Sequence, residues 1–225
     1  MSKNNSQKTE GVSQVSTKET EILLSLLEQT LAADIPGDVV ELGCYKGDTS
    51  VVFQRALQNP VKLQNSTKTS QNSANASYNS IKNLWLYDSF AGLPEKTKED
   101  SSAAGDQFKT GELFVTKHEV IEKFKRQNLP LPKIKKAFFE DLNQNEDFPV
   151  EISFAFLDGD LYTSIKTSLS LIESKMQPGS IIVVHDYNNP ELPGSARATD
   201  EWLKSHPAKI ANFKTQETLA IIKIR

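Results

Sequence analysis

The sequence predicts an α/β protein built on a doubly wound, mostly parallel sheet with an antiparallel hairpin at its C-terminal edge. Three observations carry this expectation. Short apolar runs, among them Ile152-Ser-Phe-Ala-Phe-Leu157 and Ser180-Ile-Ile-Val-Val184, alternate with stretches of helical periodicity, as strands buried on both faces do. Two of those runs end directly in chemistry, at Asp158-Gly159-Asp160 and His185-Asp186. The last segments, 210–213 and 218–224, read as two strands of a hairpin.

The elements follow in order. Residues 1–16 are rich in Ser, Asn, Gln and Lys and are expected to be a disordered tail ahead of one domain, 17–225. Thr17 is placed to cap a first helix, with Glu19 and Glu21 in its first turn and Ile22, Leu23, Leu26, Leu27 and Leu31 as its apolar stripe. Ile35-Pro-Gly37 stops it, residues 38–42 form the first strand, and Gly43 to Gly47 make a tight loop into a helix over 49–57. Residues 61–83 are polar, with few hydrophobes, and read as an inserted loop without a core of its own. The second strand, 84–87, ends at Asp88. Residues 91–112 form a long loop able to cover a site, 117–127 a helix, 134–139 a third strand, and 140–150 an acidic connection. The fourth and fifth strands, 152–157 and 180–184, flank a crossover helix over 161–176, and a last helix covers 196–205.

Composition bounds the function. A length of 225 residues suits one α/β domain, and a net charge of −3 gives no nucleic-acid surface. One cysteine, Cys44, excludes an intrachain disulfide and fits a reducing compartment. The polar stretch from Met1 has no apolar h-region, so no signal peptide is expected, and no apolar run reaches membrane-spanning length. A cytoplasmic protein without membrane or nucleic-acid partners is the expectation, with self-association into a homo-oligomer left open.

A right-handed crossover brings the ends of the fourth and fifth strands to one edge of the sheet, where open α/β folds bind ligands. Asp158, Asp160, His185 and Asp186 would meet there. Three carboxylates and an imidazole at one rim repel or stay partly protonated unless a cation or substrate organises them. Asp160 could equally cap the following helix, and His185 could be an ordinary hydrogen-bonded residue at a strand end.

The first strand hands over to its helix through Glu41-Leu-Gly43-Cys-Tyr45-Lys-Gly47, a glycine turn that lets the backbone approach a ligand. Asp88 lies 45 residues after Gly43, or 22 once the 23 residues of 61–83 are removed. The second figure is close to the roughly 20 that separate such a turn from a ribose-binding acid. Tyr45 takes the place where a dinucleotide turn needs glycine, and Glu41 repels phosphate but suits a cationic amino-acid group. Charge therefore favours S-adenosylmethionine over NAD.

These residues also carry a family likeness. Gly37-Asp-Val-Val-Glu-Leu-Gly-Cys-Tyr-Lys-Gly47, Tyr87-Asp-Ser-Phe-Ala-Gly-Leu-Pro94 and Phe156-Leu-Asp-Gly-Asp-Leu-Tyr162 resemble the macrocin O-methyltransferase (TylF-like) family. So do Pro178-Gly-Ser180, His185-Asp-Tyr187 and Gly194-Ser-Ala-Arg-Ala198, in the same order. The resemblance implies a Rossmann-like class I methyltransferase that uses S-adenosylmethionine and divalent magnesium to methylate hydroxyls, often on sugars of secondary metabolites. It implies that Glu41, Gly43, Tyr45 and Gly47 line the methionine end of the cofactor, Asp88 and Ser89 its ribose, and Phe138 its adenine. Asp158 and Asp186 would hold the metal. This chain departs from the pattern at His185, where the family has a second aspartate, and an imidazole shifts preference from magnesium toward manganese or iron-like ions. Ala137 and the stretch Asp141-Leu-Asn-Gln also depart from it, near the adenine pocket.

The expected activity is O-methyl transfer to a small polyhydroxylated acceptor. A divalent cation (magnesium or manganese) held by Asp158, His185 and Asp186 would assist, and Asp158 or Asp160 would take the proton. The rivals are an NAD-linked oxidoreductase on the same sheet and a non-catalytic module that keeps the cofactor pocket.

Overall fold

One seven-stranded sheet organises the computed structural model, which describes residues 14–58, 82–103 and 107–225. Its strands are β1 (Asp38–Leu42), β2 (Leu84–Asp88), β3 (Lys133–Lys136), β4 (Ile152–Leu157), β5 (Met176–Val184), β6 (Ile210–Gln216) and β7 (Leu219–Ile224). The spatial order is β3-β2-β1-β4-β5-β7-β6. The first five run parallel, while β7 is antiparallel to both β5 and β6. The expected doubly wound sheet with an antiparallel edge hairpin is thus present.

Alternation along each strand decides which helix it meets. Val39, Leu86, Phe154, Phe156 and Val183 face one side, with Leu23 and Leu27 of α1 (Thr17–Ala32), Phe53 of α2 (Asp48–Gln58) and Phe124 of α3 (Lys117–Arg126). Val40, Leu42, Ala155, Leu157 and Val184 face the other, with Ile165 and Leu169 of α5 (Tyr162–Ile172) and Trp202 of α6 (Pro193–Ser205). A one-turn α4 (Gln144–Asp147) sits in the acidic connection. Because β1 leads outward to β2 and β3 on one side while β4 and β5 lie on the other, the winding reverses between β1 and β4. That reversal opens a crevice at the strands' carboxyl ends.

Several expected boundaries move. Ser16, not Thr17, caps α1: its hydroxyl accepts from Glu19 N–H while the Glu19 carboxylate accepts from Ser16 N–H, a reciprocal capping box. Val15 is buried, so residues 14–16 do not share the expected disorder of the tail, and residues 1–13 lie outside the described residues. The crossover helix ends at Ile172 instead of running to 176. Met176 already pairs with Ile152, and an irregular register between Ile152 and Phe154 absorbs Pro178-Gly179 inside β5. The third strand stops at Lys136. Phe138 and Phe139 follow it at the start of a 3₁₀ turn over Phe139–Asp141 rather than alternating on a strand. Of the expected insertion, only Lys82 and Asn83 are described. Among the described residues no helix is long and apolar enough to cross a membrane.

Candidate active site

All four central parallel strands end in backbone that L-residues rarely adopt. After β1 come Gly43 and Tyr45 (φ +91° and +43°), after β2 Phe90 (+46°), after β4 Asp160 (+58°) and after β5 Asp186 (+59°). Left-handed non-glycine residues carry strain and gather where side chains must be aimed. At Gly43 no side chain would fit, since a Cβ there would stand 1.9 Å from the Asp158 carbonyl oxygen. The backbones of β1 and β4 are drawn together at that point by Asp158 N–H donating to Leu42 O at 2.8 Å.

The end of the cleft beside β1 and β2 is built around Asp88. One carboxylate oxygen accepts the N–H groups of Cys44 and Tyr45, each at 3.0 Å, and the other accepts Phe90 N–H at 2.8 Å. Burial pushes the Asp88 carboxyl up, and these three donors act against it. Asp88 therefore shapes the glycine turn, and its remaining lone pairs stay available to a hydroxyl. Glu41 is buried behind the turn, where its carboxyl accepts Ser50 Oγ–H at 2.5 Å; burial pushes it up to about 8 despite that bond. Gly47 (φ +74°) packs toward Val120 of α3. Gly43, Tyr45, Asp88, Ser89 and Phe138 line one cleft of about 640 Å³ of empty space, whereas Glu41 and Gly47 stand outside its lining.

The same cleft reaches Asp158 and Asp160. Asp160 is held well above the ordinary carboxyl range by burial, with the neighbouring Asp158 and Asp186 adding to it. His185 Nδ1 lies 2.8 Å from Asp158 Oδ1 and 3.0 Å from Asp186 Oδ2, and Asn189 donates to the other Asp186 oxygen at 2.8 Å. Burial opposes the imidazolium, but the carboxylates of Asp158, Asp186 and Glu19 around the ring prevail, so the His185 pKa is raised. The geometry brings together all three residues expected as metal ligands, their donor atoms within 4.8 Å of one another. Separations of 2.8 and 3.0 Å match the roughly 3 Å edge of an octahedron around an ion with 2.1 Å bonds. Two carboxylates and an imidazole thus fit a small divalent cation.

Sequence reasoning missed parts of this site. Leu93, Leu113, Glu140 and Ser164 also line the cleft, the first two from the loop over 91–112 and its end. That loop is tied at its neck, where Gly111 N–H donates to Leu93 O and Leu93 N–H to Glu112 O, and pinned by buried Asp100, which accepts Tyr162 N–H at 2.7 Å. The role of Glu19 beside His185 was missed as well: only its place in a helix's first turn is visible in the chain. No local pattern announces a partner so distant in sequence.

Residues 6–214 match the model of the family described as macrocin-O-methyltransferase (TylF). The chain belongs to that family. Its likeness to the 8-demethyl-8-(2,3-dimethoxy-alpha-L-rhamnosyl)-tetracenomycin-C 4'-O-methyltransferase of Streptomyces olivaceus is 26% identity over 179 residues, 77% of this chain and 61% of that one. Across the curated relatives it matches, the chain spans 61 to 66% of their length. Among solved structures, the O-methyltransferase NovP superposes with a TM-score of 0.73 at 21% identity, covering 95% of this chain and 81% of the other. The O-methyltransferase from Bacillus cereus in complex with SAH gives 0.57 at 12%, covering 96% and 84%. The TylF-family chain described here has the Rossmann-like class I methyltransferase fold, with its antiparallel C-terminal hairpin.

Proposed function

We propose that this protein is an S-adenosylmethionine-dependent O-methyltransferase, assisted by a divalent cation, that acts on a hydroxyl of a small polyhydroxylated acceptor such as a sugar of a secondary metabolite. One observation carries the reading: a single cleft joins the Gly43–Asp88 cradle to the Asp158–Asp160 rim. A methyl donor seated on the cradle would thus face an acceptor lying against the acids. Membership of the TylF family and the acceptor named for the Streptomyces olivaceus relative support the choice of hydroxyl chemistry.

Each group of the chain has a task in this reading. Gly43 lets the backbone come close to the donor, Asp88 accepts from ribose hydroxyls with its free lone pairs, and Ser89 lies beside it. Phe138, 36% exposed at the cleft, offers its ring to the adenine. Glu41, buried on Ser50 outside the cleft, would support the turn rather than touch the donor. Asp158, His185 and Asp186 would hold the divalent ion, which when bound lowers the pKa of an acceptor hydroxyl. Asp158 or Asp160 would receive the acceptor's proton as the oxygen attacks the sulfonium methyl, the sulfur–methyl bond breaks and S-adenosylhomocysteine leaves. Leu93, Pro94 and Leu113 would exclude water from one wall, and orientation supplies much of the rate. An NAD-linked reaction is disfavoured by Tyr45, whose side chain stands in the turn where a pyrophosphate would pass.

Calorimetry with S-adenosylhomocysteine tests the cofactor, and a methyl-transfer screen over glycosides and catechols tests the acceptor class. Binding with transfer to a hydroxyl is the expected result. Binding without turnover on any diol would favour a non-catalytic module, and no binding would remove the reading.

A further inference from the structure

Helices α1 and α3 each carry an N-terminal cap of their own, Ser16 with Glu19 and Thr116 with Glu119. The two helices that start behind the acidic rim do not. Leu161 stands at the cap position of α5 and Leu192 at that of α6, and a leucine side chain has no oxygen to accept the orphan N–H groups of a first turn. Both leucines are used for packing instead, in one small apolar cluster with Leu93, Phe108 and Leu113.

The missing acceptor comes from the loop over 91–112. Asp100, 2% exposed, ends a 3₁₀ turn (Lys98–Asp100) inside it. Its Oδ1 accepts Tyr162 N–H, the first of α5, at 2.7 Å, and its Oδ2 accepts the N–H and the hydroxyl of Thr97, each at 2.9 Å. The same Oδ1 lies against the first turn of α6, where a Cβ on Gly194 would stand 1.9 Å from it. Glycine at that position lets one carboxylate reach both helix starts. A buried acid there is favoured by the partial positive charge of a helix N-terminus.

Those two first turns steady the rim. Ser164 in the first turn of α5 packs so closely under Gly159 that a Cβ there would stand 2.8 Å from the Ser164 Cβ. In the first turn of α6, the buried Ser195 hydroxyl donates to His185 O at 2.6 Å. Leu93 and Pro94 of the loop, and Leu113 at its end, meanwhile form a wall of the same cleft. The cradle at the other end has bonds of its own around Asp88. We propose that Asp100 is a positioning residue for the acceptor: by capping α5 from the loop, against the start of α6, it fixes the wall of Leu93, Pro94 and Leu113 relative to the rim acids. The loop is then a built-in wall rather than a lid that closes. Misplacement by about 1 Å can cost roughly a hundredfold in rate, so a cap remote from the chemistry can govern it. This inference rests on the O-methyltransferase reading of the site.

Three variants test it: Asp100→Ala, Asp100→Asn and, as a control for lost stability alone, Ile222→Val, which trims a buried side chain of β7 outside the cleft. The readouts are labelled methyl transfer to catechol and to methyl α-L-rhamnoside, calorimetry with S-adenosylhomocysteine, and hydrogen exchange at the Tyr162 amide. Asp100→Ala should raise the acceptor KM about tenfold or more and expose the Tyr162 amide to exchange, with S-adenosylhomocysteine affinity kept within a few fold. Asp100→Asn retains a carbonyl oxygen for Tyr162 N–H and should recover most of the lost KM. Ile222→Val should lower the melting temperature and leave the acceptor KM unchanged. Should Asp100→Ala not fold, Thr97→Val, which removes one donor to Asp100 and keeps the cap, should raise the acceptor KM a few fold. An unchanged acceptor KM in the folded Asp100 or Thr97 variant, an equal rise in Ile222→Val, or a Tyr162 amide as protected in Asp100→Ala as in the parent would overturn the proposal. Transfer that is indifferent to Asp100 removes this inference alone, whereas a parent protein that binds S-adenosylhomocysteine and methylates neither acceptor removes the acceptor reading and this inference with it.

Discussion

The two ends of the cleft handle buried carboxylates in opposite ways. At the end beside β1 and β2, Asp88 is satisfied by three backbone N–H groups and Glu41, behind the turn, by Ser50, so these acids are parts of a finished cradle. At the rim of β4 and β5, Asp158 and Asp186 converge on one imidazole while Asp160 is crowded by both acids. The first arrangement is complete without a ligand. The second gathers negative charge around a single cationic partner and would be relieved by a metal ion and a substrate. The difference teaches which acids hold shape and which are poised for chemistry, and substitutions can separate them.

The largest effect is expected at the rim. Asp160→Asn should lower kcat by about 10²- to 10⁴-fold, the usual contribution of a positioned base. Affinity for S-adenosylhomocysteine should stay within a few fold, because the cradle is untouched. Asp186→Ala should behave alike in steady-state kinetics and calorimetry. A variant that loses turnover and cofactor affinity together would show that the two ends are not separable.

At the cradle, Asp88→Ala removes an acceptor for three N–H groups and for the ribose. S-adenosylhomocysteine affinity should fall roughly tenfold or more, and stability by about 1–3 kcal/mol in denaturant unfolding. Unchanged affinity would sink the ribose assignment, and unchanged stability would sink the cradle.

Glu41 gives a smaller effect with a definite sign. Its carboxyl is raised from 4.5 to about 8 in the fold, so the folded state holds the proton longer than the unfolded chain does. The stability this contributes is fully present below about pH 4.5 and is lost as pH rises toward about 8. Glu41→Gln should flatten thermal stability over that window, and melts at stepped pH values read the change. A slope identical to that of the parent protein would mean that Glu41 is ionised in the fold.

The smallest effect is expected where neither end is involved. Lys82, near the end of the polar insertion, donates to Gly37 O at 2.6 Å, at the edge of the sheet opposite the cleft. Replacing 61–83 by a short linker, with a lysine kept for this contact, should leave folding and cofactor affinity nearly unchanged, since loop length costs little. A chain that fails to fold would show that the segment is more than a loop.

Much of this contrast was legible in the chain because it lies where strands end. The bounds of β1 and β4 follow from apolar runs with sharp polar stops, and the Gly43–Asp88 spacing makes sense once the insertion is removed. Asp158, His185 and Asp186 could be brought together from topology alone, since one crossover joins their strands. What sequence reasoning missed depends on contacts rather than pattern. Pro178-Gly179 reads as a break, yet β5 continues through it because Met176 finds Ile152 across an irregular register. Phe138 and Phe139 look like alternating strand residues, but the chain turns after Lys136 and sends Phe139 inward. Glu19 reads as a helix-capping acid, as Glu119 is, and only the packing of α1 against the start of β7 aims it at His185.

The most direct measurement follows a labelled methyl group from S-adenosylmethionine to a glycoside or catechol acceptor, with and without a chelator. The account predicts label on a hydroxyl oxygen, loss of transfer in excess chelator, and recovery with manganese or magnesium. Transfer that proceeds fully in excess chelator would contradict the cation's role at Asp158, His185 and Asp186, and a protein that neither binds nor consumes S-adenosylmethionine would contradict the proposed activity itself.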